Sequence, residues 1–151
     1  MSRRSITSAT PLQETSTFDV GFVCKIKDAR MLAFRFAARL DNEAFMADIE
    51  AGDDFAILEH VKAAVPVLRS LRDGMQARVK LHRRRTTFLF ALAKSEREVD
   101  DIENLIKKFQ AITGNPATNK FQGMPISGLM RLINDYKRAQ HAVDNRDSLG
   151  N

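Results

Sequence analysis

From Val67 to Lys94 (VLRSLRDGMQARVKLHRRRTTFLFALAK) the chain has no proline and one glycine, Gly74. A stretch this long without a strong breaker predicts a long helix, and its residue pattern gives that helix two unlike faces. At 3.6 residues per turn, Leu68, Leu71, Met75, Val79, His82, Thr86, Leu89 and Ala93 share one stripe. Arg69, Arg72, Gln76, Lys80, Arg83, Thr87 and Lys94 share another, and Arg78, Arg84 and Arg85 flank them. One edge needs an apolar neighbour and the other an anionic one.

The remainder of the chain reads as helix with one exception. Asp28 is a candidate N-cap for a helix carrying Met31, Leu32, Phe34, Phe36, Ala37 and Leu40. Asp41 or Asn42 is placed to cap a short piece with Phe45, Met46 and Ile49, which Gly52 ends. Asp53 or Asp54 then caps a helix with Phe55, Ile57, Leu58, Val61 and Val65, and Pro66 predicts the start of the long basic helix. Ser95 and Glu98 have capping-box spacing, with acids at Glu96, Asp100 and Asp101 where a helix start favours them. Phe88, Leu92, Ser95, Val99, Ile102, Ile106 and Phe109 form a seam of about three heptads, closed by Gly114. After a loop over 114–126, Ser127 opens a last helix bearing Leu129, Leu132, Ile133, Tyr136 and Val143.

The exception is residues 17–27. Phe18, Val20, Phe22, Cys24 and Ile26 alternate with Asp19, Gly21, Val23, Lys25 and Lys27, the period of a half-buried strand. No second strand of that quality is visible, so the segment is expected to lie extended over the helices, or to pair with its copy or another protein's sheet edge. Phe18, Phe22 and Ile26 are its expected anchors. The expected organisation is a flexible arm over 1–16, an extended segment over 17–27, a helical domain over 28–145 and a polar tail over 146–151. The expected fold class is all-α: a helical bundle or long helical hairpin of four to five helices, with an N-terminal extended arm or single strand.

Composition supports a globular chain, 44% hydrophobic and 28% charged. At 151 residues it is one domain by length and buries an ordinary core without staples. The net charge of +5 and pI near 9.7 favour a polyanionic partner. The charges are nevertheless blocked by sign. Lys25–Arg39 has five bases to one acid, Asp41–Glu59 seven acids and no base, Arg69–Arg85 seven bases to one acid, and Glu96–Glu103 five acids to one base. Such blocks can neutralise one another between packed helices or between subunits. The lone Cys24 rules out an intrachain disulfide and fits a reducing, cytoplasmic setting. No apolar run reaches the ~20 residues of a membrane span. The basic, Ser/Thr-rich start is expected to be a plain arm, with a targeting or export signal as the alternative.

Motifs for chemistry fail on mechanism. Gly114–Lys120 has a superficial P-loop outline, but Asn119 replaces the second glycine, Phe121 replaces the magnesium-binding hydroxyl, and a helix precedes it. His60, His82 and His141 sit in no metal-binding spacing. The acids of 96–103, with Asp48, Glu50, Asp53 and Asp54, could form a magnesium cluster, but capping and pairing explain them more simply. No nucleophile elbow or Cys–His pair is present. No catalytic residue, metal ligand, cofactor or small-molecule substrate is expected.

The expected function is a non-enzymatic helical interaction or assembly subunit, self-associating or docking a protein partner through charge-complementary helices and the N-terminal strand. In that role Arg69, Arg72, Lys80 and Arg83 face acids of another helix or subunit. The alternative is sequence-nonspecific DNA or RNA binding through Arg83, Arg84 and Arg85, a reading compatible with a nucleic-acid-coating oligomer. Arginine forks grip phosphates bidentately, whereas base reading needs groove-facing Asn, Gln or Arg and single strands need exposed aromatics. With no Trp and nearly all ten Phe on apolar stripes, backbone contact is the most this chain would make.

Overall fold

Asp19 opens the first helix. Its side chain accepts the Phe22 N–H at 3.1 Å, and α1 runs Val20–Arg39. The computed structural model describes the backbone of residues 18–150 and side chains through Arg146. The arm over 1–16 lies outside these. The first two turns of α1 occupy the segment whose alternation predicts a strand, and the helical domain accordingly begins before residue 28. The reason is a buried stripe of Val23, Ile26, Ala29, Arg30, Ala33, Phe36 and Ala37, spaced for a helix. Small alanines and a charged arginine complete that stripe, so hydrophobicity alone does not reveal it.

Leu40 ends α1, and Asp41 adopts φ 52°, the left-handed turn that follows many helix C-termini. Asn42, accepting from the Phe45 N–H, caps α2 (Glu43–Glu50), and Asp53, accepting from the Ala56 N–H, caps α3 (Asp54–Leu81). Pro66 lies inside α3 rather than at its start. The Lys62 carbonyl that it leaves without a helical donor belongs to an exposed residue, where water can bond it.

The stretch Val67–Lys94 is not one helix. It breaks at His82–Arg85, where the Arg85 N–H bonds back to the His82 carbonyl at 3.0 Å, and α4 (Thr86–Thr113) begins. Ser95 is therefore interior to α4 and caps nothing. Neither glycine nor proline marks this turn. Its location follows from the two apolar seams: Leu68, Met75 and Val79 on α3 are buried or half-buried, as are Phe88, Leu92, Ser95, Val99 and Ile102 on α4. Folding back sheathes each seam with the other. Arg69 pairs with Glu103 while the His82 and Phe88 rings meet at 5.4 Å, so the helices run antiparallel as a hairpin. A 3-10 helix, Pro116–Phe121, and α5, Ile126–Gly150, complete the chain, and the backbone of 146–150 continues α5.

The described residues thus form five α-helices and one 3-10 helix, an all-α fold. α1 contacts each of the other four helices. The core gathers its buried stripe, Phe45 and Ile49 of α2, Ile57 to Leu68 of α3, Val99 to Ile112 of α4, and Leu129 and Ile133 of α5. No residue between Arg69 and Glu98 is buried. That half of the hairpin extends past the core, the Arg69–Leu81 limb rising about 20 Å.

Candidate polyanion and partner interface

The interior polar group of this protein holds the fold together, which separates it from any surface that meets a partner. Arg30 and Asp54 are both fully buried. The guanidinium meets the carboxylate with Nε to Oδ1 at 2.8 Å and Nη2 to Oδ2 at 2.9 Å, a bidentate fork. Its remaining N–H groups donate to the carbonyls of Met124, Gly52 and Phe121. Gln122 Nε2 donates to Asp54 Oδ2 at 2.7 Å, and Gln122 Oε1 accepts the Asp54 N–H at 3.0 Å. Every polar atom of the pair is answered, which a buried charge requires. The α2–α3 turn and the approach to α5 are thereby bolted to α1. Nothing in the sequence around Arg30 distinguishes it from the surface bases Lys25, Lys27 and Arg35; only its place on the buried helical stripe does.

The predicted surface residues separate into two sets. Along the shaft, bases are paired: Arg69 with Glu103, Arg72 with the adjacent Asp73, and Arg39 of α1 with Glu98 at 3.0 Å. Beyond the shaft the balance disappears. Between Gly74 and Ser95 the sequence has Arg78, Lys80, Arg83, Arg84, Arg85 and Lys94 and no acid. None of these six forms an ion pair with a described residue, and all are exposed. Lys80 through Arg85 line one shallow hollow of about 480 Å³ at the tip. The structure thus brings Lys80, Arg83, Arg84 and Arg85 together and leaves Arg69 and Arg72 on the shaft.

The inner side of the tip is closed by aromatic contacts. The Arg85 guanidinium lies 5.9 Å from the Phe88 ring centroid, and His82 tilts against the same ring. Phe90, two residues later, turns about 200° around the helix and is 75% exposed. Leu81, the last residue of α3, is 79% exposed. Two large apolar side chains therefore stand outside an acid-free basic tip. Sequence reasoning placed neither residue in a site, because on a single unbroken helix their outward direction has no special meaning.

Phe18, Phe22 and Ile26 sit on and beside α1. Ile26 is core, Phe18 packs on Tyr136 with centroids 5.4 Å apart, and Phe22 lies 6.4 Å from Phe121. Phe18 thus attaches the start of α1 to α5, and Phe22 attaches it to the 3-10 helix. His60 stacks on Phe45 and bonds Asp48 at 2.7 Å, a contact between α3 and α2. Among the described residues, no group of three or more His, Cys, Asp or Glu is arranged to hold a metal ion, and no helix is long and apolar enough to cross a membrane. The sequence matches no protein-family model, no curated protein and no solved structure.

Proposed function

We propose that this protein is a non-enzymatic interaction or assembly subunit of the cytoplasm that docks an acidic partner surface through the tip of its α3–α4 hairpin. The observation that carries this reading is the tip itself: six unpaired bases, no acid, and Leu81 and Phe90 exposed beside them. A patch of that composition, presented on a projection clear of the core, gains both desolvation of its apolar groups and charge pairing on binding. The shaft supports the same reading, since its own bases already have partners and leave the tip as the place where charge is spare.

Sequence-nonspecific binding of DNA or RNA is the second reading, and the cluster Arg83–Arg84–Arg85 favours it. Three adjacent arginines in an exposed turn can each meet a different phosphate. This version rewards the arginines and not Leu81.

The test compares wild type with Arg83→Glu/Arg84→Glu/Arg85→Glu, by light scattering and by polynucleotide affinity, over a salt series starting at ~50 mM. A docking subunit shows a mass or partner affinity that falls with salt and is lost in the variant. A wild type that is monomeric at every concentration and binds no polyanion at ~50 mM salt would overturn both versions, because charge contacts are strongest there.

A further inference from the structure

The basic tip and the acid-rich segment of this chain stand at opposite ends of α3. Asp54 begins that helix just past Glu50, Leu81 ends it, and 28 residues at about 1.5 Å each put roughly 40 Å between the ends. Beside the acidic end is an open groove of about 550 Å³, walled by Met31 and Phe34 of α1, Ile49 of α2 and Ile126 of α5. Met31 and Phe34 are 44% and 42% exposed. Glu50 and Arg35 are its charged lining residues. On α2 and its flanking turns Asp41, Glu43, Glu50 and Asp53 are exposed, and none forms an ion pair with a described residue.

We propose that this groove receives the hairpin tip of a second copy of the chain. Leu81 and Phe90 of one copy seat between α1 and α5 of the next, and Lys80, Arg83 and Arg84 face the carboxylates of α2. The inference rests on the reading of the tip as a docking element and names its partner. Three observations select a second copy. The two surfaces are complementary in kind, each combining exposed apolar side chains with unpaired charge, of opposite sign. α2 and its flanking turns carry these four exposed carboxylates and no base, and one of the four, Glu50, lines the groove itself opposite Arg35. The separation along α3 keeps a copy's own tip out of its own groove. Because the two surfaces differ, the contact is heterologous and propagates head to tail into open chains or a closed ring. A polynucleotide would engage the arginines and leave Leu81 and Phe90 in water.

The test uses the full chain and disables one surface at a time: Leu81→Ser/Phe90→Ser at the tip, Met31→Ser/Phe34→Ser at the groove. Expected from light scattering at low salt is a wild-type mass that climbs past the dimer with concentration, while each variant alone stays monomeric with unchanged helix content. An equimolar mixture of the two variants retains one intact tip and one intact groove, so it forms a dimer and nothing larger, with affinity at least ten-fold above either variant alone. A mixture that stays monomeric overturns the head-to-tail contact, as does a single variant that still oligomerises like wild type. Should wild type be monomeric yet bind poly(dT) through Arg83–Arg85, the second copy is overturned and the docking tip stands. Absence of both self-association and poly(dT) binding overturns the tip as well.

Discussion

The Arg30 guanidinium lies side-on against the Asp54 carboxylate, at 2.8 and 2.9 Å, with neither side chain exposed to solvent. The two residues are 24 positions apart on α1 and at the first residue of α3. Asp54 also gains from the positive end of the α3 dipole. Removing one partner strands a buried charge. Asp54→Asn and Arg30→Met should each cost about 3–5 kcal/mol, measured by urea unfolding. The double variant Arg30→Met/Asp54→Leu separates the charge pair from the wider network. A buried pair alone can be replaced by apolar residues without loss. Here Arg30 also serves the carbonyls of Gly52, Phe121 and Met124; the first two keep the N–H groups of Gly123 and Met124, and the Met124 carbonyl is orphaned at a cost of roughly 1–3 kcal/mol. The double variant should therefore stay destabilised; wild-type stability would show that these backbone bonds contribute little.

Two glycines predict opposite outcomes for the same substitution. Gly52 has φ +70°, and a Cβ there would fall 2.3 Å from the Met124 carbonyl oxygen. Left-handed backbone at a non-glycine costs about 1–3 kcal/mol before the clash with backbone is added. Gly52→Ala should lower stability by more than ~2 kcal/mol. Gly74 lies inside α3 with nothing within 4 Å of a built Cβ. Gly74→Ala should raise stability by about 0.5–1 kcal/mol through helix propensity. Thermal unfolding of both variants checks the pair, and a stabilised Gly52→Ala would contradict the close approach of the α2–α3 turn to Met124.

Charge pairing along the shaft should be weak. Arg69 and Glu103 are both about half exposed, so solvent and salt screen them. A double-mutant cycle with Arg69→Ala and Glu103→Ala is expected to return a coupling of about 0.2–1 kcal/mol that shrinks in high salt. A coupling above ~2 kcal/mol would mean that the pair is desolvated in an assembly.

Stability and docking should separate at the tip. Leu81 and Phe90 are exposed and lie beyond the core, so in dilute, monomeric protein Leu81→Ser/Phe90→Ser should change unfolding free energy by no more than about 0.5 kcal/mol per site. A large loss of stability would place these side chains in a buried contact and remove them from the docking surface.

Local chemistry was legible along much of the chain. Asn42 and Asp53 cap the helices they precede, Gly52 turns the chain after α2, and Gly114 ends α4. The α4 seam from Phe88 to Phe109 holds its heptad spacing and faces inward, toward α3. Two local signals misled. The alternation from Phe18 to Ile26 has the period of a strand, yet the cap at Asp19 and the stripe through Arg30 make it helix. Ser95 and Glu98 have capping-box spacing, but α4 already starts at Thr86 because its apolar seam begins at Phe88 and is covered by α3.

What the sequence determined by itself is therefore the helical class, most helix ends, the apolar stripes and the alternation of charge blocks, because caps, propensities and periodicity act within one or two turns. What only the tertiary structure decided depends on residues far apart. Folding back at His82–Arg85 turned one apparent basic helix into a tip whose bases no shaft acid reaches. Packing of α1 against α3 and the 3-10 helix chose Arg30, from five similar bases in its block, to be buried on Asp54. The physical reason is the same in both cases: burial and charge neutralisation are set by which surfaces meet, and a local residue pattern does not say which surface an edge will meet.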